Sequence, residues 1–234
     1  MIRAVTFDLW DTIVIDNSDE PKRAAQGLLS KPEARVEAFV EEVRSHHFEI
    51  GREKAEQAFT KATGQFNFHW KMEHRTPSVM TRLEWAFEAL EISPTPGVNK
   101  LAQNLEQMEV DIPPDLAPGI RPCLEELHGR YALGIISDAI VTPGSGLRQI
   151  LDHHGLLSYF DVFVFSDEAG AAKPSPVVFR RAISEFNVSP NELLHIGDRE
   201  TNDVDGPLDF GSHGILYTGV IDRGGSHKSR ADAV

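Results

Sequence analysis

A chain of 234 residues, 41% hydrophobic and 25% charged, can bury a real core, which excludes disordered, collagen-like and low-complexity architectures. At about 150 residues per domain, the length favours one core with a smaller companion. Twenty-three Lys and Arg against 36 Asp and Glu leave a formal net charge of −13 with no basic run to offset it, so nucleic acid and acidic membranes are poor partners.

The single cysteine, Cys123, excludes an internal disulfide and any site built from several thiolates, and it reads as a small buried apolar group. No apolar run reaches the ~20 residues of a membrane helix, and Met1 leads almost directly into a strand without a charged leader. The expectation is a soluble protein of a reducing compartment, the cytoplasm, existing as a monomer or homodimer.

In chain order, Ala4–Phe7 is the first of five short, unbroken apolar runs; the others are 133–136, Val162–Phe165, 193–196 and 214–217. Runs of this kind suit strands covered on both faces, as in a parallel sheet. Residues 17–112 carry no strand signal. Ser30 to Glu33 has capping-box spacing, and Val36, Phe39, Val40, Val43 and Phe48 then recur near helical period. Thr76-Pro77 is expected to open another helix with the stripe Met80, Leu83, Phe87 and Leu90, stopped by the Pro- and Gly-rich stretch 93–97. Pro113-Pro114 and Pro118-Gly119 mark the return to the first texture. Gly144-Ser145-Gly146 reads as a flexible loop. Pro176 to Phe186 reads as a helix with Val177, Phe179, Ala182, Ile183 and Phe186 on one side. The last residues, 231–234, follow what reads as the start of a further strand, at an edge left short or continued by more chain. The whole describes a doubly wound, Rossmann-like α/β core of residues 1–16 and 113–234, with an all-helical insert at 17–112.

In open α/β sheets ligands gather at the carboxyl ends of the strands. Asp8 follows the first run, Ser137-Asp138 the second, and Gly197-Asp198 then Asn202-Asp203 the fourth. Each alone is an ordinary cap or turn residue, and Lys173 before Pro174 reads as a solvated loop lysine. Asp8 is the hardest to explain structurally, because a carboxylate directly after a buried strand loses solvation without an obvious partner.

These segments resemble the motifs of the haloacid dehalogenase-like hydrolase superfamily, in order: Asp8-Leu9-Trp10-Asp11-Thr12, Ser137, Lys173 and 197–203, continued by Gly206 and Gly211. The helical insert sits where that family places its C1 cap. The resemblance implies a Mg²⁺-dependent phosphatase acting on a small phosphorylated molecule. Asp8 would be the nucleophile, forming an aspartyl-phosphate, Lys173 would hold Asp8 and the transferring group, and Ser137 and Asp138 would contact substrate. The metal would be held by Asp8, the backbone carbonyl of Trp10, Asp198 and Asp203.

One position breaks the pattern. The family's phosphatases carry a second Asp two residues after the nucleophile as acid and base; here stands Trp10, which transfers no proton, followed by Asp11 where glycine is usual. Two alternatives therefore stay open: a 2-haloacid dehalogenase, whose ester chemistry needs no leaving-group acid, or a weak family member that binds a phosphorylated ligand or a protein. Around the site, Phe66, Phe68 and Trp70 are expected to pack the insert's own helices, Lys71 or Arg75 to meet a second anionic group, and His46-His47 and His153-His154 to lie at the surface.

Overall fold

The structure is a computed structural model that describes residues 1–224 and 227–234. Five parallel strands, β1 (Ala4–Phe7), β2 (Ala132–Ser137), β3 (Val162–Phe165), β4 (Leu193–Gly197) and β5 (His213–Leu216), form one sheet in the order β3-β2-β1-β4-β5. β1 is central and buried along its whole length, which explains why it reads as a continuous apolar run rather than an alternating one. The chain moves outward from β1 in both directions, through β2 on one side and β4 on the other. That reversal opens a crevice at the carboxyl end of β1.

Both faces of the sheet are covered. Phe7, Leu133 and Ile135 pack on one side with Leu124 of α6 (Ile120–Leu127) and with Leu147, Ile150 and Leu151 of α7 (Gly144–His153). On the other side Ile136, Val162 and Val164 meet Val178, Phe179 and Ala182 of α9 (Pro176–Phe186). The 3.6-residue spacing of the α9 stripe is what turns Phe179 and Ala182 inward, while Val177 lies outside at 40% exposure.

Between β1 and α6 the chain is helical: α1 (Glu20–Ala25), α2 (Lys31–His46), α3 (Arg52–Glu73), α4 (Val79–Ala89) and α5 (Val98–Asp111). Helices α2 to α5 enclose a second core around Phe39, Phe59, Leu83, Phe87 and Leu105. The capping box at Ser30 and Glu33 forms, and satisfies two of the backbone donors that open α2.

Four local expectations are corrected. α4 starts later than Thr76-Pro77, because Ser78 takes the N-cap and its hydroxyl accepts the Thr81 N–H at 3.1 Å. Phe48 falls beyond the end of α2 and is exposed. Cys123 is exposed, since Ile120 and Leu124 fill the inward face of α6. Gly144-Ser145-Gly146 is the first turn of α7, not a loop. Its glycines are there for close packing: a Cβ on Gly144 would run into Phe165 and Glu168, and one on Gly146 into the methyl group of Thr142. The final residues lie beside the last strand, with Leu216 N–H donating to Ala233 O at 3.0 Å and an isolated parallel bridge between Ile215 and Ala233. Among the described residues, no helix is long and apolar enough to cross a membrane.

Candidate active site

Asp8 emerges from β1 with its N–H still bonded to Ile196 O of β4 at 2.8 Å, so the sheet itself fixes where its side chain starts. Ser137 ends β2, Lys173 precedes α9, and Asp198 and Asp203 follow β4. The structure brings all of them to one rim, and all are nearly inaccessible to water. Lys173 Nζ is 2.9 Å from Asp8 Oδ1 and 2.5 Å from Asp203 Oδ1. Carboxylate oxygens of Asp8, Asp198 and Asp203 lie within 4.8 Å of one another.

The glycine before Asp198 is required by this convergence. A Cβ on Gly197 would collide with the Asp203 carboxylate, which folds back against the end of β4. Asp203 is held by Lys173, by His195 Nε2 at 3.1 Å and by the Arg199 N–H at 2.9 Å. Burial alone would raise its pKa; the Lys173 ammonium and the His195 bond outweigh burial and hold it well below the usual carboxylate range. Burial pushes the pKa of His195 down. Its Nε2 proton faces a group that only accepts, so Nδ1 accepts from the Thr6 hydroxyl at 2.9 Å.

The remaining acids behave differently. Burial, then the nearby Asp8 charge, pushes Asp198 up to about 6, against an opposing pull from Arg223. Asp138 is raised mainly by burial, with Lys173 opposing. Its Oδ1 accepts the Lys173 backbone N–H at 3.0 Å and its Oδ2 the indole N–H of Trp70 at 2.9 Å. Ser137 Oγ and Asp198 Oδ1 are buried without a hydrogen-bond partner, and Asp8 Oδ1 has the Lys173 ammonium against it. Buried polar atoms are rarely left so, and these two at the strand ends are a donor and an acceptor available to a ligand. At the rim Asp8 and Asp203 share the Lys173 ammonium, and Asp11 and Asp198 share the Arg223 guanidinium. Among the described residues, Asp8, Asp198 and Asp203 are acids close enough together to share a hard, oxygen-seeking divalent cation.

The cluster opens into a cavity of about 190 Å³ roofed by the helices before α6. Trp10 and Lys173 line it on the sheet side, and Lys31, Arg35, Trp70 and Glu109 on the helical side. Lys31 is itself ion-paired to Asp19 at 2.7 Å and Glu109 at 3.1 Å. Trp70 is a correction: it reaches out of α3 to Asp138, and the Arg199 guanidinium lies 5.7 Å from its ring centre. Phe66 does pack internally under Arg82, whereas Phe68 is exposed. Lys71 lines a neighbouring cavity of about 220 Å³ together with His74 and Arg199; Arg75 instead pairs with Glu73 at 3.8 Å. His46 and His153 are exposed, and His154 bonds Pro114 O at 2.8 Å.

Asp11 is tied up by contacts of its own. Its backbone takes the left-handed conformation at φ 53°. Its Oδ1 accepts the Asp16 N–H at 3.0 Å and its Oδ2 the Arg223 guanidinium at 2.8 Å, so both oxygens are committed. Three contributors, His195, Trp70 and Arg223, were not legible in the sequence as site residues. His195 sat inside an apolar strand run, Trp70 in an aromatic-rich helix, and Arg223 in a tail with no pattern at all.

A model of haloacid dehalogenase-like hydrolases matches residues 2–211. Haloacid dehalogenase-like hydrolase domain-containing protein 3 of Homo sapiens is 26% identical over 226 residues, spanning 93% of this chain and 82% of that one. A glyceraldehyde 3-phosphate phosphatase of Pyrococcus furiosus is 36% identical over 101 residues, 43% of this chain and 41% of that one. Two solved structures share the fold. A HAD phosphatase from Thermococcus onnurineus aligns with a TM-score of 0.64 at 23% identity over 100% of this chain and 92% of its own. A 2-haloacid dehalogenase from Pseudomonas syringae aligns at 0.63 and 20% identity over 100% and 90%. The fold thus serves both chemistries, and the side chains must decide between them.

Proposed function

This chain belongs to the haloacid dehalogenase-like hydrolase family, and from that premise we propose that it is a Mg²⁺-dependent phosphatase forming an aspartyl-phosphate on Asp8. Its substrate is a small phosphorylated metabolite of the cytoplasm, in keeping with the modest cavity and with the phosphatase among its relatives. The observation that carries this reading is the buried group of Asp8, Asp198 and Asp203 with Lys173 against it. A site that displaces halide from carbon has no use for three converging carboxylates.

Asp8, the backbone carbonyl of Trp10 and Asp198 would hold the ion, with Asp203 ligating it or orienting its waters. The bound cation supplies the positive charge that lets a phosphate dianion approach an acidic pocket. Asp8 then attacks phosphorus in line; its new P–O bond forms as the bond to the leaving oxygen breaks, and water later hydrolyses the acyl phosphate. Lys173 orients the Asp8 carboxylate and offsets charge on the phosphoryl oxygens. Ser137 directs its hydroxyl to one of those oxygens. We read the helical segment 17–112 as the cap that closes over residues 1–16 and 113–234 and excludes water, with Trp70 joined to Asp138 as one point of closure.

With Trp10 at the acid position and both Asp11 oxygens engaged, neither of these two residues protonates the leaving oxygen. The enzyme therefore favours substrates whose leaving group is stable as an anion. Trp10 also supports a second reading, the dehalogenase, in which Asp8 displaces halide and no proton is needed. Purified protein should hydrolyse an activated aryl phosphate only with added Mg²⁺, and Asp8→Asn should reduce this to background. Metal-independent release of halide from a 2-haloacid would assign the chain to the second chemistry.

A further inference from the structure

Arg223 lies in the segment after β5, remote in sequence from every motif of the site. Its guanidinium bridges two carboxylates: Nη2 donates to Asp11 Oδ2 at 2.8 Å, and Nε to Asp198 Oδ2 at 2.5 Å. The other oxygen, Asp198 Oδ1, is buried and unpartnered, and the Asp198 carboxylate belongs to the cluster formed with Asp8 and Asp203. A carboxylate turns about its terminal bond, so tying down one oxygen decides where the second points. The tie is itself anchored, because Asp11 Oδ1 is fixed by the Asp16 N–H.

We propose that Arg223 is a positioning residue of the metal site: it holds Asp198 by Oδ2 and so presents Oδ1 to the divalent cation. The role rests on the Mg²⁺ reading above. It also gives Asp11 a purpose, as the carboxylate that recruits a C-terminal arginine to the rim.

A guanidinium beside a cation site also repels the cation, and the two effects have opposite signs. Exposure decides between them. The Arg223 side chain is 36% exposed, so water screens its charge, whereas that of Asp198 is 1% exposed. Among the described residues, Arg223 is the only hydrogen-bond partner of that carboxylate. Orientation therefore outweighs repulsion.

Mn²⁺ titrated into the full chain by calorimetry tests this. Outer partners of metal ligands typically contribute 10- to 100-fold in affinity, so Arg223→Gln should weaken Mn²⁺ binding by about that factor. Arg223→Lys, which keeps the charge but makes a single point contact, should fall between the two. A merely structural arginine would lower the melting temperature of the metal-free protein and leave the affinity where it was. Arg223→Gln binding Mn²⁺ as tightly as wild type, or more tightly, overturns the role while leaving the metal site standing. Wild type that binds no Mn²⁺ at all overturns both.

Discussion

Lys173→Met is the sharpest test of how the rim is held together. The side chain is 2% exposed and its ammonium contacts Asp8 at 2.9 Å and Asp203 at 2.5 Å. The acids around it push the Lys173 pKa upward in spite of full burial, so the ammonium is permanently charged. Methionine fills a similar volume but leaves Asp8 and Asp203 without their shared cation. Breaking a buried pair by removing one partner costs about 3–5 kcal/mol, because a buried charge is left uncompensated. At roughly 2–4 °C per kcal/mol for a chain of this size, the metal-free variant should melt about 6–20 °C below wild type. Added Mg²⁺ should recover part of that loss, since it delivers positive charge to the same carboxylates. Calorimetric melts of both proteins, with EDTA and with Mg²⁺, measure each quantity directly. A metal-free variant that melts within a degree of wild type would show that Lys173 does not compensate the cluster, and the electrostatic account of the site would fail.

Two further outcomes follow from the same geometry. Trp10→Asp places a proton donor beside the leaving oxygen, and should raise turnover of an alkyl phosphate by about 10²–10⁴-fold while changing an activated aryl phosphate far less; equal effects on both substrates would remove the leaving-group explanation. In the helical layer, burial raises the Glu109 pKa, but Lys31, Arg35 and the Thr142 hydroxyl outweigh it and hold the group below its ordinary 4.5. Its contribution to stability is then present above pH ~4.5 and lost as pH falls further. The stability difference between wild type and Glu109→Gln, from urea melts across pH, should shrink below that value and stay level at neutral pH.

Strand identity was legible because the physics is local: Ala4–Phe7 and Val162–Phe165 are buried on both faces, and an unbroken apolar run is what such a strand needs. The capping box at Ser30 and Glu33 was equally local, being satisfied within one turn. The acids of the rim, Asp8, Asp198 and Asp203, were legible for a different reason, whereas Lys173 stood out only through the family resemblance. Each acid follows a strand on the rim that a parallel sheet reserves for ligands, so position along the chain stands in for position in space. Where the inward side of a helix was decided by neighbours far away, reading failed. Cys123 turned out, Phe48 lay past the helix end, and the glycines in the first turn of α7 answered to Phe165 and Thr142 rather than to flexibility.

Only the tertiary structure decided what the broken motif means. Sequence shows that Trp10 stands two residues after Asp8 with Asp11 beside it, but it cannot say where Asp11 points. The answer came from a backbone N–H five residues on and an arginine 212 residues away, which together engage both of its oxygens. Trp70 is the same case, since the bond from α3 to Asp138 spans 68 residues. Chemistry that rides on one strand end or one turn is written in the order of residues; chemistry shared between distant segments exists only once the chain has closed on itself.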